Sequence, residues 1–212
     1  MSSANLVRWS GVALLIAGTL VAVTTPFHPD DAADPNAVTT NVWVIVHSLY
    51  VPAFILTMFG LVGLYARQAE HAGVLGLIGF ILAFIGSSLF LVVVVLEASV
   101  VPVIAADPAG QILLDPAGPL FGGELGPILL MGQAAFALGF VLTGIATVRA
   151  DVLPRWPGVL LLIGAPLAAF WPPLPHLVGV TGGVLFGLGY AWLGYAMWAR
   201  TGERVIQQPA HP

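Results

Sequence analysis

The chain has 212 residues, of which 58% are hydrophobic and 8% charged, with a mean hydropathy of +0.99. Soluble domains carry about 25% charged residues, so this chain has too little charge to face water on all sides. Six basic residues, all arginine, stand against ten acidic ones for a net charge near −4, too little basic charge for a nucleic-acid partner or a polybasic lipid switch, and the lack of cysteine excludes disulfides, zinc fingers, iron–sulfur ligation and thiol chemistry.

Apolar runs near the roughly 20 residues needed to cross a bilayer follow one another along the chain. The first, at about 7–25, leads into a loop carrying His28, Asp30, Asp31 and Asp34 between Pro29 and Pro35. That loop lacks the glycine and terminal glutamate of a calcium loop and reads as solvated. The second, at about 42–65, holds His47, Ser48 and Tyr50 near its start. Arg67-Gln68-Ala69-Glu70-His71 reads as a turn with local ion pairs before the third run, at about 73–98, which ends on Val92-Val93-Val94-Val95-Leu96 and Glu97. Apolar residues continue to about Ala105, and a long loop runs to Glu124. The fourth run, at about 126–148, carries Gln133 and leads to a second turn, Arg149-Ala150-Asp151. The fifth, at about 157–172, is the shortest and contains Pro166 and Pro172; His176 follows in a short turn before the sixth, at about 178–198. His71 and His211 read as water-exposed.

If these runs alternate across the bilayer, Arg8, Arg67, Arg149, Arg155, Arg200 and Arg204 fall on one side. Asp30, Asp31, Asp34, Asp107, Asp115 and Glu124 fall on the other. The positive-inside rule then places both termini in the cytoplasm. The expected fold is all-α: one transmembrane domain, 1–212, a bundle of six helices in the plasma (inner) membrane, N-in and C-in. Arg8-Trp9-Ser10-Gly11-Val12 recurs as Arg155-Trp156-Pro157-Gly158-Val159, which points to three tandem two-helix hairpins and argues against cleavage of the first run as a signal. Trp9, Trp43, Trp156, Trp171 and Trp198 read as interfacial anchors. Gly183-Val184-Leu185-Phe186-Gly187 reads as an internal packing seam, with an oligomer contact as the alternative.

Ionisable groups at membrane depth are costly and are candidates for function. At about 1.5 Å per helical residue, His28, His47, Glu97 and His176 reach one level, the outer rim of the bundle. Three histidines and a glutamate suit a divalent metal such as zinc. Two of His28, His47 and His176 would suit a b-type haem as axial ligands. A protonatable site for a quinone, a lipid headgroup or a solute is the third option, with Glu97 relaying a proton and Gln133, Ser48 and Tyr50 adding polar contacts. Against all three stands the reading that these groups simply face water and headgroups. Glu97 draws most attention, because a carboxylate in so apolar a run needs a partner, a proton or a bent helix end.

The stretch Gly60-Leu61-Val62-Gly63-Leu64-Tyr65-Ala66-Arg67-Gln68-Ala69-Glu70, with Ala72-Gly73 and Glu97-Ala98, resembles a group of small prokaryotic membrane proteins without an assigned activity. The resemblance implies a prokaryotic inner-membrane protein and carries no site residues. The sequence therefore frames a membrane protein with an outer-face pocket for a metal, haem or small ligand. The alternatives are an assembly subunit of a membrane complex or a homo-oligomer, and a small-solute or proton-coupled transporter. No HExxH, Walker or GxSxG motif is present, so catalysis is the least supported class.

Overall fold

In hydrocarbon every backbone N–H and C=O must find its partner within the chain, so long apolar runs become helices. The computed structural model describes residues 3–115, 117–170 and 174–206, with side chains for 4–115, 117–170 and 174–199. Helix α1 is Ser3–Thr24, followed by 3-10 turns at Thr25–Phe27 and Pro35–Thr39. Helix α2 spans Asn41–Ser99, α3 Val101–Ala105, α4 Gln111–Leu114, α5 Leu125–Ala150, α6 Arg155–Ala169 and α7 His176–Ile206. Among the described residues there is no strand. Four of these helices, α1, α2, α5 and α7, are long and apolar enough to cross a membrane. The protein is a helical membrane protein.

Helix α2 corrects the expected layout. Two separate runs, 42–65 and 73–98, are here one element of 59 residues, and residues 66–72 are helical where a turn was expected. Arg67, Gln68, Ala69 and Glu70 are good helix formers, and no breaker intervenes before Gly73. There the chain turns back on itself: Gly73 has φ 58° and ψ −159°, a region open to glycine almost alone. The two arms lie side by side. Tyr65 stacks on Phe80 with ring centres 5.0 Å apart, and Phe54 on Phe90 at 5.6 Å. Ser88 Oγ donates to the Phe84 carbonyl at 2.8 Å and lies 3.3 Å from the Met58 sulfur. Helix α6 departs in the other direction. At 15 residues it is about 22 Å long, short of the roughly 30 Å hydrocarbon core, and it ends at Ala169. Where six helices were expected, with the fifth the shortest, the described residues form seven helices, one of them 59 residues long.

Glycine sets the packing. A Cβ at Gly60 would strike Leu14, and one at Gly63 would strike Ser10, so α1 lies on the first arm of α2. The second arm packs on α5 at Gly79 and Gly139, where added carbons would meet the Thr143 and Ala83 backbones. Gly144 and Gly158 join α5 to α6, Gly164 and Gly182 join α6 to α7, and Gly18 and Gly187 join α7 back to α1. The rods form a closed ring of antiparallel neighbours. Gly183 and Gly187 face Thr25 and Ala22 of the same chain, an internal seam. Leu14, Leu61, Leu64, Leu161, Leu193 and Met197 fill the interior toward the arginine-bearing end.

The turns and tryptophans add smaller corrections. Gln68, expected in a turn with local ion pairs, is 2% exposed. Asp151 closes α5 with φ 52° and accepts from Arg155 Nε at 3.1 Å, an exposed pair of little energetic weight. Trp9, Trp156 and Trp198 are exposed, as anchors would be, but Trp43 is 3% exposed and belongs to the interior. Trp171, Pro172 and His211, and the side chains of Arg200 and Arg204, lie outside the described residues.

Candidate functional site

The site is built where α2 begins and ends. Thr40 caps α2 by accepting from the Trp43 N–H at 3.3 Å, and its first turns carry Trp43, His47 and Tyr50 inward. The hairpin at Gly73 returns the second arm to the same level, so Glu97 arrives opposite His47. Trp43 Nε1 donates to the Glu97 carbonyl at 2.8 Å and fastens the two arm ends together. His47 Nε2 then lies 3.2 Å from Glu97 Oε2.

The position of one proton in His47 follows from its partners. Its Nδ1 is 2.8 Å from the Trp43 carbonyl oxygen, which only accepts, so Nδ1 carries a hydrogen. The Nε2–Oε2 contact is attractive only with a further proton between the two atoms, either on the imidazole or on the carboxyl. The pair therefore holds one shared proton. His47 is 1% exposed as a residue, and the Glu97 side chain is 32% exposed.

His28 and His176 complete the rim. The 3-10 turn after α1 brings the His28 ring to 4.9 Å from that of His47 and 5.3 Å from Trp43, edge to face. His28 Nδ1 donates to the Pro29 carbonyl at 2.8 Å. Burial, and then the neighbouring His47, push the His28 pKa down to about 4, so the ring is neutral at pH 7. His176, at the start of α7, stands 6.2 Å from His28 ring to ring and 3.9 Å from Asp30 Oδ1. Asp31 sits exposed at the margin, where desolvation raises its pKa.

Beneath these groups lies a cavity of about 200 Å³. Its upper wall includes His28, Asp31, Trp43, His47, Tyr50 and Glu97, with Gln133 and Thr25. Its floor is Phe54, Phe90, Phe136 and Phe186. Phe136 is the hub, 4.6 Å from Phe90 and 5.3 Å from Phe186 between ring centres. Tyr50 donates to Thr25 Oγ1 at 3.0 Å and joins α2 to the end of α1.

The residues expected at one level, His28, His47, Glu97 and His176, are thus neighbours, and Tyr50 and Gln133 line the same space. Ser48 is exposed and points elsewhere, and His71 is exposed as expected. In this arrangement no three His, Asp or Glu side chains among the described residues could hold a metal ion. His47 commits Nδ1 to a carbonyl and turns Nε2 to Glu97, while His28 commits Nδ1 to Pro29. Nor does a porphyrin fit between His28 and His47, because their rings touch. Asp30 and Asp34 accept from nearby backbone N–H groups, as turn-forming residues do.

Trp43, Thr25, Asp31 and the phenylalanine floor were not foreseen as parts of a site. Trp43, four residues before His47, and Tyr50, three after it, share its helix face, a signal that could have placed them with it. The chain matches no protein-family model, no curated protein and no solved structure.

Proposed function

We propose that this is a six-span plasma-membrane protein, with both termini in the cytoplasm, that binds a small amphiphilic ligand in a pocket opening at the outer face. One observation carries the reading: a proton-sharing pair of the buried His47 and the partly exposed Glu97 roofs a cavity floored by four phenylalanines. Polar groups at one end and an apolar floor at the other match a ligand with a polar head and an apolar body. The span count is supported by the hairpin inside α2 and by α6, which lies among spanning helices despite its length. The orientation is supported by Arg8, Arg67, Arg149 and Arg155 at the end opposite the pocket. The bilayer is the partner that this composition requires.

The native absence of cysteine permits a clean test of orientation. Asp107→Cys is expected to react with a membrane-impermeant maleimide in intact cells, and His71→Cys only after permeabilisation. The reverse pattern overturns the orientation. For the pocket, 2-phenylethanol serves as a probe with a polar head and an aromatic body. It should bind saturably to the whole chain in nanodiscs, and Ala169→Phe, which fills a wall of the cavity, should abolish that binding. Binding that survives the filled cavity, or none in the parent, removes the ligand-pocket reading.

A further inference from the structure

Which kind of head the pocket takes can be read from its protons, given the ligand-pocket reading above on which this inference rests. Thr25 Oγ1 donates to the Val21 carbonyl at 2.7 Å. It must therefore accept from Tyr50, whose oxygen has then spent its hydrogen and shows lone pairs alone. With Nδ1 protonated in both His28 and His47, the Nε2 of the neutral His28 ring is an acceptor, while that of His47 faces Glu97 across their shared proton. Glu97 contributes the oxygens of its proton-sharing pair with His47, and Asp31 contributes a carboxylate. The indole N–H of Trp43, a donor that would otherwise face inward, is taken by the Glu97 carbonyl. Among the lining residues there is no lysine or arginine.

Among the described residues the upper wall is therefore acceptor-rich and acidic, with Gln133 and the one proton of the His47–Glu97 pair as its donors. The titratable groups gathered here are His28, Asp30 and Asp31 from the loop after α1, His47, Tyr50 and Glu97 from α2, and His176 from α7. None of them is a fixed cation. Below, the aromatic rings present faces whose quadrupole attracts positive charge.

We infer that the pocket takes a small organic cation, an arylalkyl- or alkylammonium whose N–H groups meet Asp31, the Glu97 oxygens and the His28 Nε2 while its apolar body rests on Phe54, Phe90, Phe136 and Phe186. An ammonium supplies the donors that this wall lacks, and its charge is met by the Asp31 carboxylate beside the Glu97 oxygens. A carboxylate or phosphate head would set like charge against Glu97 and Asp31. A quinone head, which only accepts, would find few hydrogens to accept.

Three probes of similar size separate these cases: phenethylammonium, 2-phenylethanol and phenylacetate, titrated calorimetrically at pH 7 into the whole chain in nanodiscs of zwitterionic lipid. Phenethylammonium is expected to bind about tenfold or more tightly than 2-phenylethanol, with phenylacetate weakest. Glu97→Gln should weaken the ammonium by about tenfold and the alcohol by much less, and Asp31→Asn at the exposed margin should weaken the ammonium by about threefold. If the alcohol or phenylacetate binds as tightly as the ammonium, and Ala169→Phe still abolishes binding, the cation assignment is overturned and the pocket stands. If none of the three binds in a manner sensitive to Ala169→Phe, both fall.

Discussion

Replacing Glu97 with leucine isolates the His47–Glu97 contact, because the Trp43 indole holds the backbone carbonyl of Glu97 and not its side chain. Leucine is close to glutamate in size, so the change removes an acceptor more than it removes volume. A charge-assisted hydrogen bond contributes about 1.5–3 kcal/mol, and water reaches the Glu97 side chain, which is 32% exposed, so the lower part of that range applies. His47, 1% exposed, is then left with Nε2 facing an apolar group. Glu97→Leu should thus cost about 1–2 kcal/mol. Glu97→Gln should cost less than about 1 kcal/mol, since its amide can donate to the neutral Nε2 at the same distance. With His47→Leu and the double variant, a cycle should return a coupling of about 1 kcal/mol or more. The assay is reversible unfolding by SDS in mixed micelles at pH 7. A coupling below about 0.3 kcal/mol, or equal losses for leucine and glutamine, would refute the shared-proton account.

Two further outcomes follow from the same geometry. A Cβ at Gly73 meets nothing within 4 Å, yet φ is 58°, so Gly73→Ala should destabilise by about 1–3 kcal/mol in the same assay through backbone strain alone; an unchanged stability would mean that the hairpin does not need this conformation. His28 has its pKa lowered from 6.5 to about 4, so the unfolded chain takes up its proton at a higher pH than the folded one. Its contribution is full above pH 6.5 and is lost as pH falls toward 4, by about 3 kcal/mol. His28→Gln should flatten the pH dependence across that window, and an unaltered slope would place the loss elsewhere.

The level of the site was legible in the sequence, and its depth was not. Counting residues from Arg8 and Arg67 put His28 and His47 at one height, because helical rise is nearly constant. Which phenylalanines turn inward could not be read, since the helices are apolar on every face. Phe54 and Phe136 floor the cavity while Phe59 is 64% exposed on the same kind of helix, and nothing local separates them. Trp43 was taken for an anchor because it lies near a helix start, where belts form. Its burial depends on Glu97 returning from 54 residues away, a contact that only the Gly73 turn creates. The extent of α2 was missed for a related reason: polarity at residues 66–71 resembled a loop, whereas their helix propensity decided the backbone.

The closed ring has a consequence for how the molecule is made. Each seam joins elements that follow one another in the chain, except the one between α1 and α7. Every other seam can form as successive hairpins leave the ribosome, while Gly11 and Gly18 of α1 wait for the last helix to arrive. Thr25 and Gly183 meet at that late seam, and both line the cavity. A chain interrupted before α7 would insert and pack most of its helices, yet the chamber would lack a wall until α7 emerged.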